Sequence, residues 1–419
     1  MGKSGSLLFL LIFLVFPLFS CFSYGANYYV NPGNFQNVIE NIADPGDTVT
    51  FLNGLYNVNN PVNLYKSLSL VAANPGGAVL RATTYLDAII KSNNPYITIS
   101  NLVLDGNHLA DYGIRGGFAG YSAHDAVITG NTIVNNKQDG ILLNNAYNSV
   151  FSNNYIVNNE VLGIGLYNSF NSALKENTIT GSGRTGLYLE NSAASTLTGN
   201  SVSGCGQDGI LLTLSPYSQM NSNTVFRNSW NGIALDRSST SILMDNTINN
   251  NGYCGSYLLN TDDSYVLNNS LLYNGHGVVV NSGNSNYIVG NIIRGGNIGV
   301  QISSNNNVSY NLINETNTGI WLTTTMNGIN AALVTNNTLF SNMNGFQKAG
   351  DLNNINPTIL TDNLVLSNFY GLSVLGNGNH LDGTLLFGNS NGLHIMGNNN
   401  VLMKSHCCFQ HTNWGGYGR

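Results

Sequence analysis

A glycine recurs at a nearly fixed interval through most of the chain and usually precedes an apolar segment, as in Gly140-Ile-Leu-Leu. The glycines in this setting are Gly140, Gly163, Gly186, Gly209, Gly232, Gly255, Gly277, Gly299, Gly319, Gly345, Gly371 and Gly392. The first six are 23 residues apart, and the later intervals are 22, 22, 20, 26, 26 and 21 residues. A sustained period of this length is typical of repeat proteins, whose units pack mainly against their neighbours.

An asparagine recurs in step with the glycines and is usually followed by Ser or Thr and then an apolar residue. Its members are Asn131, Asn154, Asn177, Asn200, Asn223, Asn246, Asn269 and Asn291. An asparagine repeated at the same turn can donate its amide to the next asparagine and accept from the previous one, and it tolerates left-handed backbone. We therefore interpret this column as a structural asparagine ladder.

Each repeat contains three short segments of strand-like sequence. In the first regular repeat they cover residues 126–129, 132–134 and 140–143, with Gly, Asn and Asp in the turns between them. The turns are too short for a propeller blade and lack hairpin signals. The pattern predicts an all-β fold, a single-stranded right-handed parallel β-helix with three strands per coil. The repeating glycines predict about 12 coils, with Ile141, Leu143 and their equivalents pointing into the core.

The two ends of the chain differ from the repeats. Residues 1–25 combine Lys3, an apolar stretch and small residues before Ala26, which is the pattern of a signal peptide. Cleavage there predicts a secreted or cell-envelope protein, extracellular or periplasmic. The alternative is lipoprotein processing, with a lipid anchor at Cys21. No segment predicts a transmembrane span.

The remaining boundaries follow from where the period begins and fails. Residues 26–100 are predicted to hold the N-terminal cap and first coils, residues 101–400 the β-helix repeats, and residues 401–419 an irregular C-terminal tail. Within the cap, residues 34–44 predict a short capping helix whose apolar face contains Phe35, Val38, Ile39 and Ile42.

Composition limits the partners. Charged residues form 8% of the chain, against about 25% in ordinary globular domains. The net charge of −6 offers no basic face, so we exclude nucleic acid as a partner. The five cysteines form no disulfide framework, and we expect Cys205 and Cys254 to be buried or unpaired thiols. We expect a monomer.

Four N-terminal segments carry a family resemblance. They are Asn27-Tyr-Tyr-Val-Asn-Pro-Gly, Ala43-Asp-Pro-Gly-Asp-Thr-Val, Leu52-Asn-Gly-Leu-Tyr and Ile99-Ser-Asn-Leu-Val-Leu-Asp-Gly. Their succession resembles the entry to pectin-lyase-like right-handed parallel β-helix proteins, in the branch that holds alginate lyases, mannuronan epimerases and carbohydrate-binding and sugar-hydrolase repeat proteins. The resemblance implies a protein that binds or acts on polysaccharide, and most of all an acidic-polysaccharide lyase or uronate epimerase.

A first candidate site lies where the period is interrupted, between Gly113 and Gly140. Lyase and epimerase chemistry needs a cation to neutralise the uronate carboxylate, a base to remove the adjacent proton, and an acid to return or relay one. The candidate catalytic residues are Tyr112, Arg115, His124, Asp125 and Asp139. His124-Asp125 is similar to the His-plus-acid core of the epimerase motif, although Ser122-Ala123 replace the Asp-Pro that precedes it there. The alternative is a solvated loop with a surface histidine.

A second candidate site is the outward face of the strand that follows each glycine, where side chains alternate. Its candidate substrate-binding residues are Tyr167, Tyr188, Glu190, Asp236, Tyr257 and Trp321, with Gln301 beside them. Aromatic side chains one coil apart would form stacking platforms for sugar rings. Glu190 and Asp236, two coils or about 9.6 Å apart, lie near the upper end of the spacing of an inverting glycosidase pair. The alternative is ordinary strand surface.

Two further signals are weaker. Residues 260–263 and 275–277 contain fragments similar to polygalacturonase motifs, but their spacing is too short. Three Asp-Gly pairs could suggest Ca²⁺, yet no segment has the dense carboxylates of a calcium loop. We therefore predict no required cofactor or metal site, with Ca²⁺ as an alternative. The 14 Lys and Arg residues leave open a non-catalytic carbohydrate-binding or adhesive repeat protein.

Overall fold

The computed structural model describes residues 25–303, 305–323, 331–348 and 358–408. The predicted signal peptide, including Cys21, and most of the predicted tail lie outside these ranges. Within them the chain winds into a right-handed parallel β-solenoid, because each short strand pairs in parallel with its counterpart in the next coil. The strands form three sheets, which we call A, B and C. The predicted fold class is confirmed.

The strands of each sheet occur in chain order. Sheet A contains Asn27–Val30, Thr48–Phe51, Ser69–Ala72, Thr98–Ser100, Val127–Thr129, Val150–Ser152, Ala173–Lys175, Thr196–Thr198, Gln219–Asn221, Ile242–Met244, Tyr265–Leu267, Tyr287–Val289, Asn307–Ser309, Ala332–Thr335, Thr358–Thr361, His380–Asp382 and Val401–Met403. Sheet B contains Gly54–Val58, Ala78–Ala82, Val103–Asp105, Thr132–Val134, Tyr155–Val157, Thr178–Thr180, Ser201–Ser203, Thr224–Phe226, Thr247–Asn249, Ser270–Leu272, Ile292–Arg294, Leu312–Asn314, Thr338–Phe340, Leu364–Leu366, Leu385–Phe387 and His406–Cys408. Sheet C contains Val62–Leu64, Leu86–Ser92, Ala110–Gly116, Ile141–Asn144, Ile164–Tyr167, Leu187–Glu190, Ile210–Thr213, Ile233–Asp236, Cys254–Leu259, His276–Asn281, Ile298–Ile302, Thr318–Leu322, Asn344–Lys348, Tyr370–Leu375 and Asn391–Met396.

The described solenoid has about 16 coils, since its sheets contain 17, 16 and 15 strands. The prediction of about 12 was too low because the first coils lack the glycine marker. Ile90 pairs with Ile114, which pairs with Ile141, so Ile89 stands where later coils have glycine. In those later coils the glycine is a steric requirement. A Cβ on Gly140 would lie 2.7 Å from the carbonyl oxygen of Gly163 in the next coil.

The core is a set of inward columns. Ile141 and Leu143 are fully buried, and so are their counterparts in the next four coils. Burial of an aliphatic side chain contributes about 1.5–3 kcal/mol, and the strand register repeats that gain in every coil. The predicted inward columns are confirmed.

The asparagine ladder is also confirmed. The amide of Asn177 donates to Oδ1 of Asn200 over 3.0 Å, and the amide of Asn200 donates to Oδ1 of Asn223 over 2.9 Å. The same amide of Asn200 also bonds the carbonyl oxygen of Leu174. We expected the left-handed backbone at the ladder asparagine itself. It lies instead at the residue before the asparagine, such as Glu176 with φ 54°.

The N-terminal capping helix is shorter and wider than predicted. An α-helical turn, Phe35–Asn37, runs directly into a π-helix, Val38–Ile42. The wider turn, closed by a hydrogen bond from Ala43 N–H to the Val38 carbonyl oxygen, rotates Ile42 out of the apolar face. Ile42 is therefore 46% exposed, contrary to prediction, whereas Phe35, Val38 and Ile39 are buried.

Two expectations about the rest of the chain can be checked on the described residues. Cys205 and Cys254 are buried free thiols, as predicted. Among the helices that the structure describes, none has the length and apolar character needed to cross a membrane.

Candidate functional site

A cleft of about 530 Å³ opens on the outward face of sheet C. We call it the Asp139 cleft. The side chains that give it chemical character are Tyr112, Asp139, Tyr167, Arg184, Tyr188 and Gln207. It therefore joins two residues of the first candidate site, Tyr112 and Asp139, with two of the second, Tyr167 and Tyr188.

Strand register brings these residues together. Tyr167 and Tyr188 occupy outward positions in adjacent strands of sheet C, and their rings meet edge to face at 5.6 Å. Phe118 lines the same cleft from the loop after the strand Ala110–Gly116. That loop approaches sheet C closely at Gly117, whose φ is 76° and whose missing Cβ would overlap the carbonyl oxygen of Asn144.

Asp139 is the most unusual titratable group of the cleft. It lies in the turn before Gly140, is 5% exposed, and accepts a hydrogen bond from the Leu162 N–H over 2.8 Å. Burial raises the pKa of Asp139 to about 7, while the Leu162 N–H and the charge of Arg184 oppose the rise. A carboxyl group with this pKa can give or take a proton near neutral pH.

Asp208 is a useful structural counterpart. It stands before Gly209 as Asp139 stands before Gly140, and it is also buried. Its Oδ1 accepts two hydrogen bonds from Asn231, one from the backbone and one from the side chain. Asp208 does not line the Asp139 cleft, and its carboxyl group ties its turn to that of Asn231.

The cleft tyrosines are held protonated. Burial is the largest cause that raises the pKa of Tyr112, Tyr167 and Tyr188. The Tyr188 hydroxyl also donates to Glu190 over 2.7 Å, which raises its pKa further. These phenols are therefore hydrogen-bond donors at neutral pH.

Arg184 and Gln207 were missed by the sequence reasoning. They lie two residues before Gly186 and Gly209, and the Arg184 Nε donates to Gln207 Oε1 over 3.4 Å. The turns that carry them stack in register, since the Gln207 N–H bonds the Arg184 carbonyl oxygen. The second candidate site included only the outward positions after each glycine. Inspection of the positions two residues before each glycine would have identified Arg184 and Gln207.

Arg115 lies in a neighbouring hollow of about 410 Å³, which we call the Arg115 hollow. It also contains Lys91 and shares Phe118 with the Asp139 cleft. The Arg115 guanidinium pairs with Asp87 at 2.5 Å and packs over the rings of Tyr112 and Phe118. The buried Arg115 Nε has no hydrogen-bond partner among the described residues. The structure thus places Arg115 beside the cleft, on the same face of sheet C.

His124 and Asp125 belong to a different cluster. His124 Nδ1 lies 2.5 Å from Asp125 Oδ2, and the imidazole stacks on Tyr147 at 4.6 Å. Tyr147 in turn stacks on Phe170, which makes an aromatic column in the turns that lead into sheet A. Neither His124 nor Asp125 lines the Asp139 cleft or the Arg115 hollow.

The outward aromatics of sheet C do not form the continuous row that was expected. Tyr188 is in register with Leu211 and Ala234 before the column reaches Tyr257. Trp321 follows three coils later. Only Tyr167 and Tyr188 are one coil apart, and their rings meet edge to face instead of forming a flat platform.

Glu190 and Asp236 lie two coils apart, with Thr213 between them in the register. Both carboxylates already have partners. Glu190 accepts from the Tyr188 hydroxyl, and Asp236 forms a bidentate pair with Arg237 at 2.9 and 3.1 Å.

Comparison with protein families agrees with this architecture. The model of the right-handed beta helix region matches residues 79–189 and 121–272. The protein is a right-handed parallel β-helix protein. A second model, the periplasmic copper-binding protein NosD, matches residues 232–358 of the β-helix. No curated protein matches the sequence of this chain significantly.

Solved structures share the fold of this β-helix at low sequence identity. The A-module of the mannuronan C-5 epimerase AlgE6 of Azotobacter vinelandii is 18% identical, with 69% of this chain and 97% of that chain covered and a TM-score of 0.58. The Dettilon tailspike protein is 16% identical, with 67% and 62% covered and a TM-score of 0.57. The DFA-IIIase of Arthrobacter chlorophenolicus A6 with GF2 is 13% identical, with 68% and 94% covered and a TM-score of 0.54. At such identities the likeness concerns the fold alone.

The described residues do not fit the copper site that the NosD match would imply. They contain no group of three or more His, Cys, Asp or Glu placed to hold a metal ion. Cys254, in the matched region, is fully buried, and burial raises its pKa well above the usual range, which keeps the thiol protonated. No residues are assigned to Ca²⁺ either, and its involvement stays a prediction.

Proposed function

We propose that this β-helix protein binds an acidic polysaccharide in the Asp139 cleft and removes a proton from a uronate unit, as a lyase or an epimerase. The observation that carries the proposal is Asp139, a buried carboxyl group with a pKa near 7 that lines an open cleft. Groups with such shifted pKa values concentrate at functional sites.

Each remaining requirement of the chemistry has a residue in the cleft. Arg184 is exposed at its rim and supplies the positive charge that neutralises the uronate carboxylate. Asp139 in its ionised form takes the proton from the carbon next to that carboxylate. Tyr112, Tyr167 and Tyr188 keep their protons, so one of them can donate to the leaving oxygen of a lyase or return a proton in an epimerase.

The Arg115 hollow continues the cleft along sheet C. Arg115 and Lys91 place two further cations there against the single carboxylate of Asp87. We propose that this hollow receives a neighbouring acidic sugar unit. A protein with this substrate would act outside the cytoplasm, secreted or in the cell envelope, as the N-terminal sequence predicts.

The proposal is tested by turnover. The mature protein is incubated with alginate, pectate and glycosaminoglycans, with and without Ca²⁺, and the absorbance of unsaturated product and the exchange of the uronate proton are followed. We expect one acidic polymer to react. Asp139→Asn should abolish turnover, whereas Asp208→Asn, a buried carboxyl group outside the cleft, should retain it. Silence of the wild-type protein on every polymer would refute the catalytic proposal.

A second candidate function is carbohydrate binding without catalysis. It is favoured by exposed aromatic pairs elsewhere on the solenoid, such as Tyr265 and Tyr287, whose rings stack at 5.0 Å on the outer face of sheet A. In that case the acidic polymers would bind without any product or proton exchange. The hydrolase alternative has less support, because the carboxylates of Glu190 and Asp236 are already paired.

A further inference from the structure

A second polar pocket lies far from the Asp139 cleft on the same face of sheet C. It has a volume of about 420 Å³ and is formed by the strands Asn344–Lys348, Tyr370–Leu375 and Asn391–Met396. Seven coils separate Tyr188 from Gln347 in the outward column, which corresponds to about 34 Å. We call it the Gln347 pocket, and it has no part in the function proposed above.

The walls of the Gln347 pocket are two outward columns in strict register. Gln347 pairs with Ser373, which pairs with His394, and Asn344 pairs with Tyr370, which pairs with Asn391. Between the columns lies a narrow apolar strip made mainly by the partly exposed Leu393, since the neighbouring Leu372 is only 2% exposed. The pocket thus has polar walls and an apolar strip, the two surfaces that a sugar ring requires for its hydroxyl groups and its C–H face.

Three polar side chains of the walls are not committed to the fold, whereas the Asn344 amide donates to the Asn317 carbonyl oxygen and to the Thr318 hydroxyl. Within the described part of the chain, the side chains of Gln347, Ser373 and His394 make no hydrogen bond. The buried ladder asparagines, by contrast, are bonded to both neighbouring coils. Planar amides and hydroxyls can donate and accept at once, which suits neighbouring sugar hydroxyls.

An aromatic face borders the same pocket. Tyr370 is 44% exposed and meets the adjacent Phe369 edge to face at 4.8 Å between ring centroids. Its ring offers an apolar surface, and its hydroxyl can form a hydrogen bond.

The lining of the pocket contains no Asp, Glu, Lys or Arg. Lys348, the next residue after Gln347, points inward instead: it is 1% exposed and its Nζ donates to Asn379 Oδ1 over 2.7 Å. The Asp139 cleft, on the other hand, contains both Asp139 and Arg184. The two hollows therefore differ in the charge of the ligand they can recognise.

We propose that the Gln347 pocket is a separate binding site for an uncharged saccharide. Amide and hydroxyl groups would bind its hydroxyls, and Tyr370 would pack against its C–H face. Because an uncharged saccharide offers no charge to the pocket, binding should be almost independent of ionic strength, unlike the binding of an acidic polymer in the Asp139 cleft.

The test is calorimetric titration of the full chain with three neutral hexasaccharides, of β-1,4-glucan, mannan and galactan, and with an alginate hexasaccharide. We expect at least one neutral hexasaccharide to bind, with an affinity that changes by less than about twofold between low and high salt. Gln347→Ala should weaken it by about tenfold or more, which corresponds to the loss of one or two hydrogen bonds.

Gln301→Ala is the matched control, since Gln301 lies in the same outward column two coils earlier and outside the pocket. It should leave the affinity unchanged, as should Asp139→Asn, and circular dichroism checks the fold of each variant. Tyr370→Ala supplies an independent second variant, expected to weaken binding as Gln347→Ala does. The proposal is overturned if none of the neutral hexasaccharides binds, or if Gln301→Ala and Gln347→Ala weaken binding equally.

Discussion

The Leu162 backbone N–H donates to Oδ1 of Asp139 over 2.8 Å, so the carboxyl group that lines the cleft also ties its coil to the next. Substitution by Asn keeps an oxygen acceptor for that N–H and removes the ionisable group. Asp139→Asn can therefore separate the contribution of the carboxylate to chemistry from its contribution to the turn.

Asp139→Asn should make the stability of the protein less sensitive to a rise from acid to neutral pH. The pKa of about 7 in the folded protein lies above the ordinary value of 3.8, so the folded state holds the proton more tightly and the wild type loses stability as pH rises toward 7. The variant has no such loss. Urea unfolding measures the free energy of unfolding of both proteins at pH 5 and at pH 8. From pH 5 to pH 8, the free energy of unfolding of the variant should rise relative to that of the wild type by on the order of 2 kcal/mol. A difference that is the same at both pH values would contradict the raised pKa.

Turnover should depend on the ionisation of Asp139. If Asp139 is the base, the initial rate on the reactive polymer rises about tenfold per pH unit below pH 7 and levels off above it, because the pKa is about 7. Initial rates from pH 5 to pH 9 measure this profile. Asp208→Asn should leave the profile in place; a rate independent of pH in the wild type would assign the proton transfer to another group.

Arg184→Gln should raise KM for the acidic polymer by about tenfold or more, since a charge-assisted contact with a carboxylate is lost. Arg237→Gln provides the control, because Arg237 is also exposed but is paired with Asp236 outside the cleft. Steady-state kinetics on both variants give the comparison. Equal effects would indicate a general loss of positive charge instead of a specific contact.

Tyr188→Phe should lower kcat by about a hundredfold if Tyr188 is the acid, because the ring stays and only the hydroxyl is removed. Tyr257→Phe, in the same outward column three coils away, should keep the wild-type kcat. Corresponding changes at Tyr112 and Tyr167 identify the donor if Tyr188→Phe is fully active.

Asn200→Ala should destabilise the solenoid by about 1–3 kcal/mol or more, because buried partners in both neighbouring coils lose their hydrogen bonds. Asn317→Ala should cost less than about 0.5 kcal/mol, since Asn317 is exposed and its side-chain bond to Asn297 is exposed as well. Urea denaturation of the two variants measures the contrast. Comparable losses in the free energy of unfolding would mean that the buried ladder stabilises the solenoid no more than an exposed hydrogen bond does.

The periodic features of the sequence predicted the fold because they report a repeated environment. Ile141, Leu143 and Asn200 recur with the same neighbours in each coil, so one alignment places them all. The predicted number of coils was too low because the first coils lack the glycine marker, as where Ile89 takes its place. The predicted burial of Ile42 was wrong because a π-helix has a different angular spacing from the α-helix that the apolar pattern suggested.

The candidate site was harder to predict because proximity across coils depends on turns. Tyr112 and Asp139 were expected together, and they line one cleft. His124 is close to Tyr112 in sequence, but the chain passes from sheet C to the turn before sheet A between them, and His124 stacks on Tyr147 instead. Arg184 lies 45 residues beyond Asp139 in sequence, yet it reaches the same cleft two coils later.

The asparagine ladder gives the solenoid a direction, because the side-chain amide of one ladder asparagine donates to the side-chain oxygen of the ladder asparagine in the coil that follows. Deletion of one entire 23-residue unit would bring a donor face against an identical acceptor face, and the series would close again without a gap. Deletion of half a unit would leave buried amides facing strands with no oxygen in place. The length of this molecule can therefore change during evolution in whole-coil steps of about 4.8 Å. A step between the Asp139 cleft and the Gln347 pocket would alter the distance between them while leaving the composition of both intact.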